Sequence, residues 1–329
     1  MVVRVLDDYY LAITAILTIG YQLIFFTIAY TFQIDSVTDF GGGSNVALLA
    51  ILTLVLGQTW YVRQIIATTF AVLWGARLGL FCLYRMLKSG KDSRFESIRS
   101  KFASLLFFFV LQMIWVWIIS LPFIFLNSPR ISNDEYDGRD VKFGRATDVI
   151  GVFVFIIGIL FESISDFQKF VFRQSRTSPT QFMKTGLWSW SRHPNYFGTN
   201  AAYASITSPV FTIFLLMFLS GMPLNERPAH EKQWKQGNWN DYSKYLERTS
   251  VLIPFPPSLY EPLPRIIKST LFLEFPLYRY VPDLENGDQS GLTRDGASVN
   301  AFWFTSPAGS PLNFDQKKSV KILSQYFEI

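Results

Sequence analysis

The chain has 329 residues, 50% of them apolar, 17% aromatic and 17% charged, with 32 phenylalanines and a mean hydropathy of +0.22. That composition excludes an ordinary soluble domain and a disordered chain, and a single cysteine, Cys82, excludes a disulfide scaffold. The formal charge of +5 is scattered between long apolar blocks, and nucleic-acid binding needs basic residues gathered on one hydrated face.

A hydrocarbon layer ~30 Å thick is crossed by about 20 apolar residues in a helix, the form that satisfies its own backbone hydrogen bonds in lipid. Residues 10–30 carry no charge and form the first predicted span, too long for a cleaved signal peptide. Residues 46–62 and 65–84 give the second and third, separated only by Arg63 and Gln64, and 102–126 the fourth. A fifth begins at 149–161 and continues as a hydrated helix to Arg173, and a sixth apolar stretch, 196–219, is interrupted by Pro209. The expected fold is an all-α polytopic membrane bundle over residues 1–258, followed by a hydrophilic, partly disordered tail over 259–329.

Lysine and arginine counts in the short loops set the orientation. Residues 85–101 carry six basic and two acidic side chains, and 162–193 carry five and two, so both segments are assigned to the cytosol. Parity then places the acidic 34–45 loop on that side too, and the N-terminus on the other. From Met222 onward there are twelve basic and twelve acidic residues, and the C-terminal part casts no vote.

Polar groups clustered at one membrane surface are where chemistry is expected. Glu162, Asp166, Lys169 and Arg173 fall on one helical face by their offsets of four, three and four. That face suits the ribose and phosphates of a cofactor, or is simply a helix end with internal ion pairs. A second cluster, Ser191-Arg192-His193-Pro194-Asn195-Tyr196-Phe197-Gly198, follows Gly186-Leu187-Trp188. It gathers a guanidinium able to make a two-pronged hydrogen bond, an imidazole, an amide and a phenol where the chain re-enters the membrane. In a third, Tyr242, Tyr245 and Arg248 recur every three residues, a face for a planar cofactor or a surface-lying amphipathic helix. Glycine-rich nucleotide loops, metal-spaced His/Cys clusters and a nucleophile elbow are all absent from the sequence.

The order Glu162, Asp166, Gln168, then Gly-Leu-Trp, Ser-Arg-His-Pro-Asn-Tyr-Phe-Gly, Ser-Gly-Met-Pro-Leu (220–224), Tyr-x-x-Tyr, Arg-Thr-Ser and Ile-Pro-Phe (253–255) resembles the DUF1295 membrane proteins of the steroid 5-alpha-reductase superfamily. The match runs from Trp74 to Pro257. The resemblance implies a seven-helix membrane enzyme of the endoplasmic reticulum, and with the spans counted above the expectation is six or seven transmembrane helices. It also implies NADPH bound from the cytosolic side, and reduction of a carbon–carbon double bond conjugated to a carbonyl in a lipid or sterol-like substrate. Carried over by position, the cofactor would meet Asp166, Arg173, Arg192, His193, Asn195, Tyr196, Tyr242, Tyr245 and Arg248, with Lys88 and Lys91 nearby. The cofactor would bring the hydride, and the protein a proton donor to polarise the carbonyl.

This sequence departs from that pattern in three places. Thr199 stands where the family commonly has Glu, and the second span lacks the acid of the characterised steroid reductases. That leaves Tyr61, Tyr84 and Tyr203 as proton donors by residue type only. Residues 199–219, 21 in all, span ~32 Å as one helix at about 1.5 Å per residue. A single pass would put Tyr242 and Arg248 across the membrane from Arg192, whereas a re-entrant hairpin broken at Pro209 would keep them together. An isoprenylcysteine-type methyltransferase using S-adenosylmethionine and a non-catalytic membrane protein on the same scaffold are the other readings. The Gly75-x-x-x-Gly79 pattern lets helices approach closely, and oligomeric state is not legible.

Overall fold

A computed structural model describes residues 3–34, 36–89, 99–133, 142–178, 180–204, 217 and 222–275. Among these residues there is no strand, and five helices are long and apolar enough to cross a membrane: α1 (Leu11–Phe32), α2 (Ser36–Gly57), α3 (Val62–Ser89), α4 (Phe102–Asn127, run on by the single turn α5, Pro129–Ser132) and α6 (Ala146–Ser175). Shorter elements follow: a 3-10 turn (Gly186–Ser189), α7 (Pro194–Ala204), α8 (Met222–Lys235), α9 (Trp239–Arg248), α10 (Pro257–Tyr260) and α11 (Arg265–Thr270). The chain is an integral membrane helix bundle.

Side-chain pairs between helices fix their directions. Tyr9, at the start of α1, packs on Phe125 at the end of α4, and Phe26 and Tyr30 pack on Phe102 at its start, so these two helices are antiparallel. Arg63 meets Asp148 with two hydrogen bonds of 3.0 and 2.8 Å, Arg77 meets Glu162 at 2.8 Å, and Tyr84 packs on Phe170. Three contacts in rising order along both chains make α3 and α6 parallel. The 85–101 and 162–193 segments therefore leave the bundle at the same end, as the charge count required, and α2 starts at that end too.

The second span differs from its expected limits. Residues 36–45, within the predicted 34–45 loop, are helical, and the apolar window is Phe40–Gly57. Glycine is a poor helix former in isolation, but here packing requires it. A Cβ on Gly43 would sit 2.7 Å from the Gly75 carbonyl oxygen and 3.3 Å from the Gly79 nitrogen. The Gly75-x-x-x-Gly79 pattern is thus used inside the chain, against α2. Hydrophobic packing closes the middle of the bundle around Tyr10, Leu49, Trp74, Ile119 and Phe123, with Phe70 stacked on Phe155 at 3.8 Å.

At the far end of the bundle from the basic loops, Asn127 donates to Thr53 and Thr68, and Gln64 donates to the Leu126 carbonyl. Tyr61 lies at this end, so it is remote from the other predicted site residues.

The crossing that matters most joins α6 to α7. A Cβ on Gly198 would fall 2.5 Å from the Glu162 backbone nitrogen and 2.7 Å from the Gly158 carbonyl oxygen, and one on Gly158 would meet the backbone of Gly198 and Ala202. Only backbone fits between the two helices there. Gly158→Ala is expected to cost about 1–3 kcal/mol through this overlap and to lower the melting temperature of the detergent-purified protein. Gly20→Ala, where nothing lies within 4 Å of the added methyl, should leave that temperature unchanged or raise it.

Candidate functional site

The first part of the α6 polar face, Glu162 and Asp166, turns into the bundle, while Arg173 at its end is exposed. Glu162, 4% exposed, accepts from the Trp74 indole nitrogen at 3.0 Å and from Arg77 at 2.8 Å. Arg77 also donates to Asp166 at 2.5 Å and to the Ser163 hydroxyl at 3.2 Å. The Thr199 side chain reaches Glu162 from α7, and its hydroxyl donates one turn back to the Asn195 carbonyl. Opposite charges and an indole donor thus satisfy a carboxylate within the membrane-spanning segment, as burial demands.

One and two turns further along α6, the 3-10 turn docks by polar contacts. Gln168 accepts from the Leu187 backbone, Trp188 donates its indole N–H to the Ser165 carbonyl at 3.0 Å, and the Lys169 ammonium lies 4.6 Å from the Trp188 ring. Gly186 has φ +63, and a Cβ there would collide with the Gln168 amide. The following residues pair with the chain after α9: Arg192 and His193 donate their backbone N–H groups to Ser250 and Val251, and Phe255 donates to Trp190.

Around that junction lies a buried ionic network. Arg192 pairs with Glu226 of α8 at 2.5 Å and with Glu274 at 3.2 Å. His193 meets the second Glu226 oxygen at 2.7 Å, His230 approaches the same carboxylate at 3.5 Å, and Tyr260 donates to Glu274 at 2.7 Å. Tyr196 stacks on His193 with rings 5.1 Å apart and accepts from Asn225 at 2.7 Å. Tyr242 packs against Phe182 and His230, and Tyr245 donates to the Trp188 carbonyl at 2.7 Å. Burial alone would push the Glu226 carboxyl up, but Arg192 and the hydrogen bond of His193, with His230 close by, hold it well below the usual carboxylate range. Burial pushes His193 below its ordinary value, only partly offset by Glu226, and pushes the Tyr242 and Tyr245 phenols up.

The predicted site residues therefore divide. Arg192, His193, Asn195, Tyr196, Tyr242 and Tyr245 gather at one junction. Asp166 belongs to the Arg77 cluster, joined to that junction through Glu162, Thr199 and the α6–α7 crossing. Arg173 and Lys88 are exposed near the ends of α6 and α3 on the same side of the bundle. Arg248 stands apart, pairing with Glu261 at 3.1 Å with both side chains more than half exposed. Lys91 lies outside the described residues, as does the Tyr203 side chain, and Tyr84 is 45% exposed beside Phe170.

On either side of the 199–219 stretch, Tyr196 and Asn225 share a hydrogen bond, and Met217 packs with Met222, Tyr196 and Phe197. The described residues at its two ends therefore lie together; residues 205–216 and 218–221 lie outside the described residues.

Sequence reasoning missed Glu226, His230 and Glu274, and gave Trp74 and Arg77 no role beyond marking where the family match begins. One signal was present: Glu226 and His230 are four residues apart, one helical turn, and His230 is one of only two histidines.

Removing Glu226 would take from buried Arg192 one of its two carboxylate partners and leave it Glu274, at a cost of up to about 3–5 kcal/mol, the range for breaking a buried pair. Glu226→Ala should accordingly make the 188–275 region sensitive to limited trypsin digestion in detergent. The pH dependence follows from the two depressed groups. Above 6.5, the ordinary histidine value, the His193 contribution is present in full. As pH falls, the unfolded chain takes up a proton that the buried imidazole refuses, and Glu226 adds a loss of the same sign at lower pH. Trypsin resistance of this region is expected to fall on acidification from about pH 6.5, and Glu226→Gln should keep that histidine-linked fall while lacking the further loss below the ordinary carboxylate value of 4.5.

Set against known proteins, the chain matches no curated protein and no solved structure. A family model described as "Protein of unknown function (DUF1295)" matches residues 25–249. That range takes in α2 through α9, including the Arg77 cluster and Arg192 with its partner Glu226, and the chain belongs to the DUF1295 family.

Proposed function

We propose that this protein is an NADPH-dependent oxidoreductase of the endoplasmic reticulum membrane that reduces a carbon–carbon double bond conjugated to a carbonyl in a lipid or sterol-like substrate. The observation that carries the reading is the meeting of three distant segments at one end of the bundle: the α6 polar face, the 192–196 segment and α9. In sequence they are separated by tens of residues, and a scaffold that only anchored a protein would have no use for so many buried polar groups there.

A nicotinamide cofactor fits part of this arrangement. Asn195 Oδ1 is buried and has no hydrogen-bond partner among the described residues, and a carboxamide N–H is the donor it lacks. Lys88 and Arg173, exposed on the side where α3 and α6 end, are cations that would meet phosphates. Arg192 and His193 do different work: their partners are Glu226 and Glu274, so they hold α8 and residues 260–275 against α7 and set where Asn195 and Tyr196 stand. When bound, the cofactor supplies the hydride. Thr199, next to Glu162 and one turn from Asn195, keeps a hydroxyl where the family commonly carries a carboxylate. A second acid there would lie against Glu162.

Saturable NADPH binding to the detergent-purified protein is the expected result, weakened about tenfold in Asn195→Ala by loss of roughly one hydrogen bond. Arg173→Ala should weaken NADPH more than NADH, because the extra phosphate is what a cation distinguishes. Selective binding of S-adenosylmethionine would overturn the proposal in favour of methyl transfer.

A further inference from the structure

The described start of the predicted hydrophilic tail, up to Phe275, packs on the bundle, and residues 276–329 lie outside the described residues. Residues 257–275 fold back on the junction: Tyr260 is fully buried and donates to Glu274, which pairs with Arg192, and Phe272 packs between Phe255 and Tyr260 with rings 5.0 and 5.1 Å away. The inner side of this strap is thereby satisfied. Its outer side is not. Leu259, Ile266, Ile267 and Leu271 are 57%, 73%, 37% and 62% exposed, four large apolar side chains within thirteen residues and outside every membrane-spanning helix.

Two observations say what covers them. First, the strap is tied to the level of the membrane surface. Asp148, paired with Arg63, marks one end of α6, and ~30 Å of hydrocarbon at about 1.5 Å per residue is crossed by roughly residue 168. That is where Gln168 holds Leu187 and where Trp188 reaches back to Ser165. Trp190, 45% exposed, stands at this level, and its carbonyl accepts from Phe255, which packs on Phe272 next to Leu271. At about this level α6 also exposes Ile164 and Phe167. Second, the polar groups are arranged for an interface. Arg265 is exposed beside Ile266, and Lys268 folds inward to donate to the Glu247 and Glu261 carbonyls while capping the Tyr260 ring at 4.5 Å. Apolar side chains flanked by an exposed guanidinium at a Trp-bearing level match the layer between acyl chains and lipid phosphates.

We propose that residues 257–272 form a monolayer anchor, lying in the phospholipid headgroup layer on the side where α3 and α6 end, with Leu259, Ile266, Ile267 and Leu271 dipping toward the acyl chains and Arg265 at the phosphates. The occupant of the exposed face is the protein's own bilayer. Membrane contact and the Arg192 network are then two sides of one strap, because Glu274 lies three residues beyond Leu271.

The test uses the full chain in phospholipid nanodiscs. Cys82 is the sole cysteine, so spin labels are placed singly at Ile266→Cys and Leu271→Cys in a Cys82→Ala background, with Lys244→Cys, on exposed α9, as the hydrated control. Power saturation with oxygen and with a water-soluble nickel chelate reads depth. At 266 and 271 oxygen is expected to relax the label more than nickel, and the reverse at 244. Greater nickel access at 266 and 271 would overturn the anchor by showing that face in water. Protection from both reagents would overturn it by showing a protein surface, either a second copy or another chain, on top.

Discussion

A place where no side chain fits governs the rest of this molecule. At Gly158 and Gly198, α6 and α7 meet backbone to backbone, so that even a methyl group would overlap a carbonyl or an amide of the opposing helix. Because the helices come that close, Thr199 reaches Glu162, and the segment just before α7 is pressed against the last apolar turns of α6. The Arg192–Glu226 pair, the stacked His193 and Tyr196, and the docking of Trp188 on Ser165 all sit within that geometry. Loss of van der Waals contact with lipid at such a crossing is repaid by helix-to-helix packing, which is the main attraction available between helices in a bilayer.

Charge in the low-dielectric part of the structure is handled by division between two clusters, each with its own cation. Arg77 balances Glu162 and Asp166 inside the spanning helices, while Arg192 lies between Glu226 and Glu274 just outside them. Each guanidinium touches two carboxylates, a geometry for which a planar fork is suited and an ammonium is not. Thr199 and the α6–α7 backbone lie between the two clusters.

Much of the fold was legible in the sequence, because lipid imposes a length and a polarity that composition alone reveals. All but the first residue of 10–30 falls inside α1, 65–84 and 102–126 fall inside α3 and α4, and the continuation of the fifth span to Arg173 is close to the observed end of α6. The start of α2 was not legible, since three consecutive glycines look like a loop until Gly75 is placed opposite them. The side on which residue 225 emerges was not legible either, because length alone cannot distinguish one pass from a return. For the candidate site, the motifs of 192–198 and the Tyr242 and Tyr245 spacing pointed to the right junction. What they hid was the partner set. Arg192 read alone is a free cation for a phosphate, and only the fold brings Glu226 and Glu274, 34 and 82 residues away, to fill it.

The chain contains two histidines, and both contact the same carboxylate, that of Glu226. Any property read through imidazole, such as a proton resonance or reactivity toward an acylating reagent, therefore reports on this single junction with no background from elsewhere in the protein. The bundle carries a built-in, two-sided reporter, with His193 facing the stacked Tyr196 and His230 facing Tyr242. Events that disturb the α7 side and the α9 side would register on different rings.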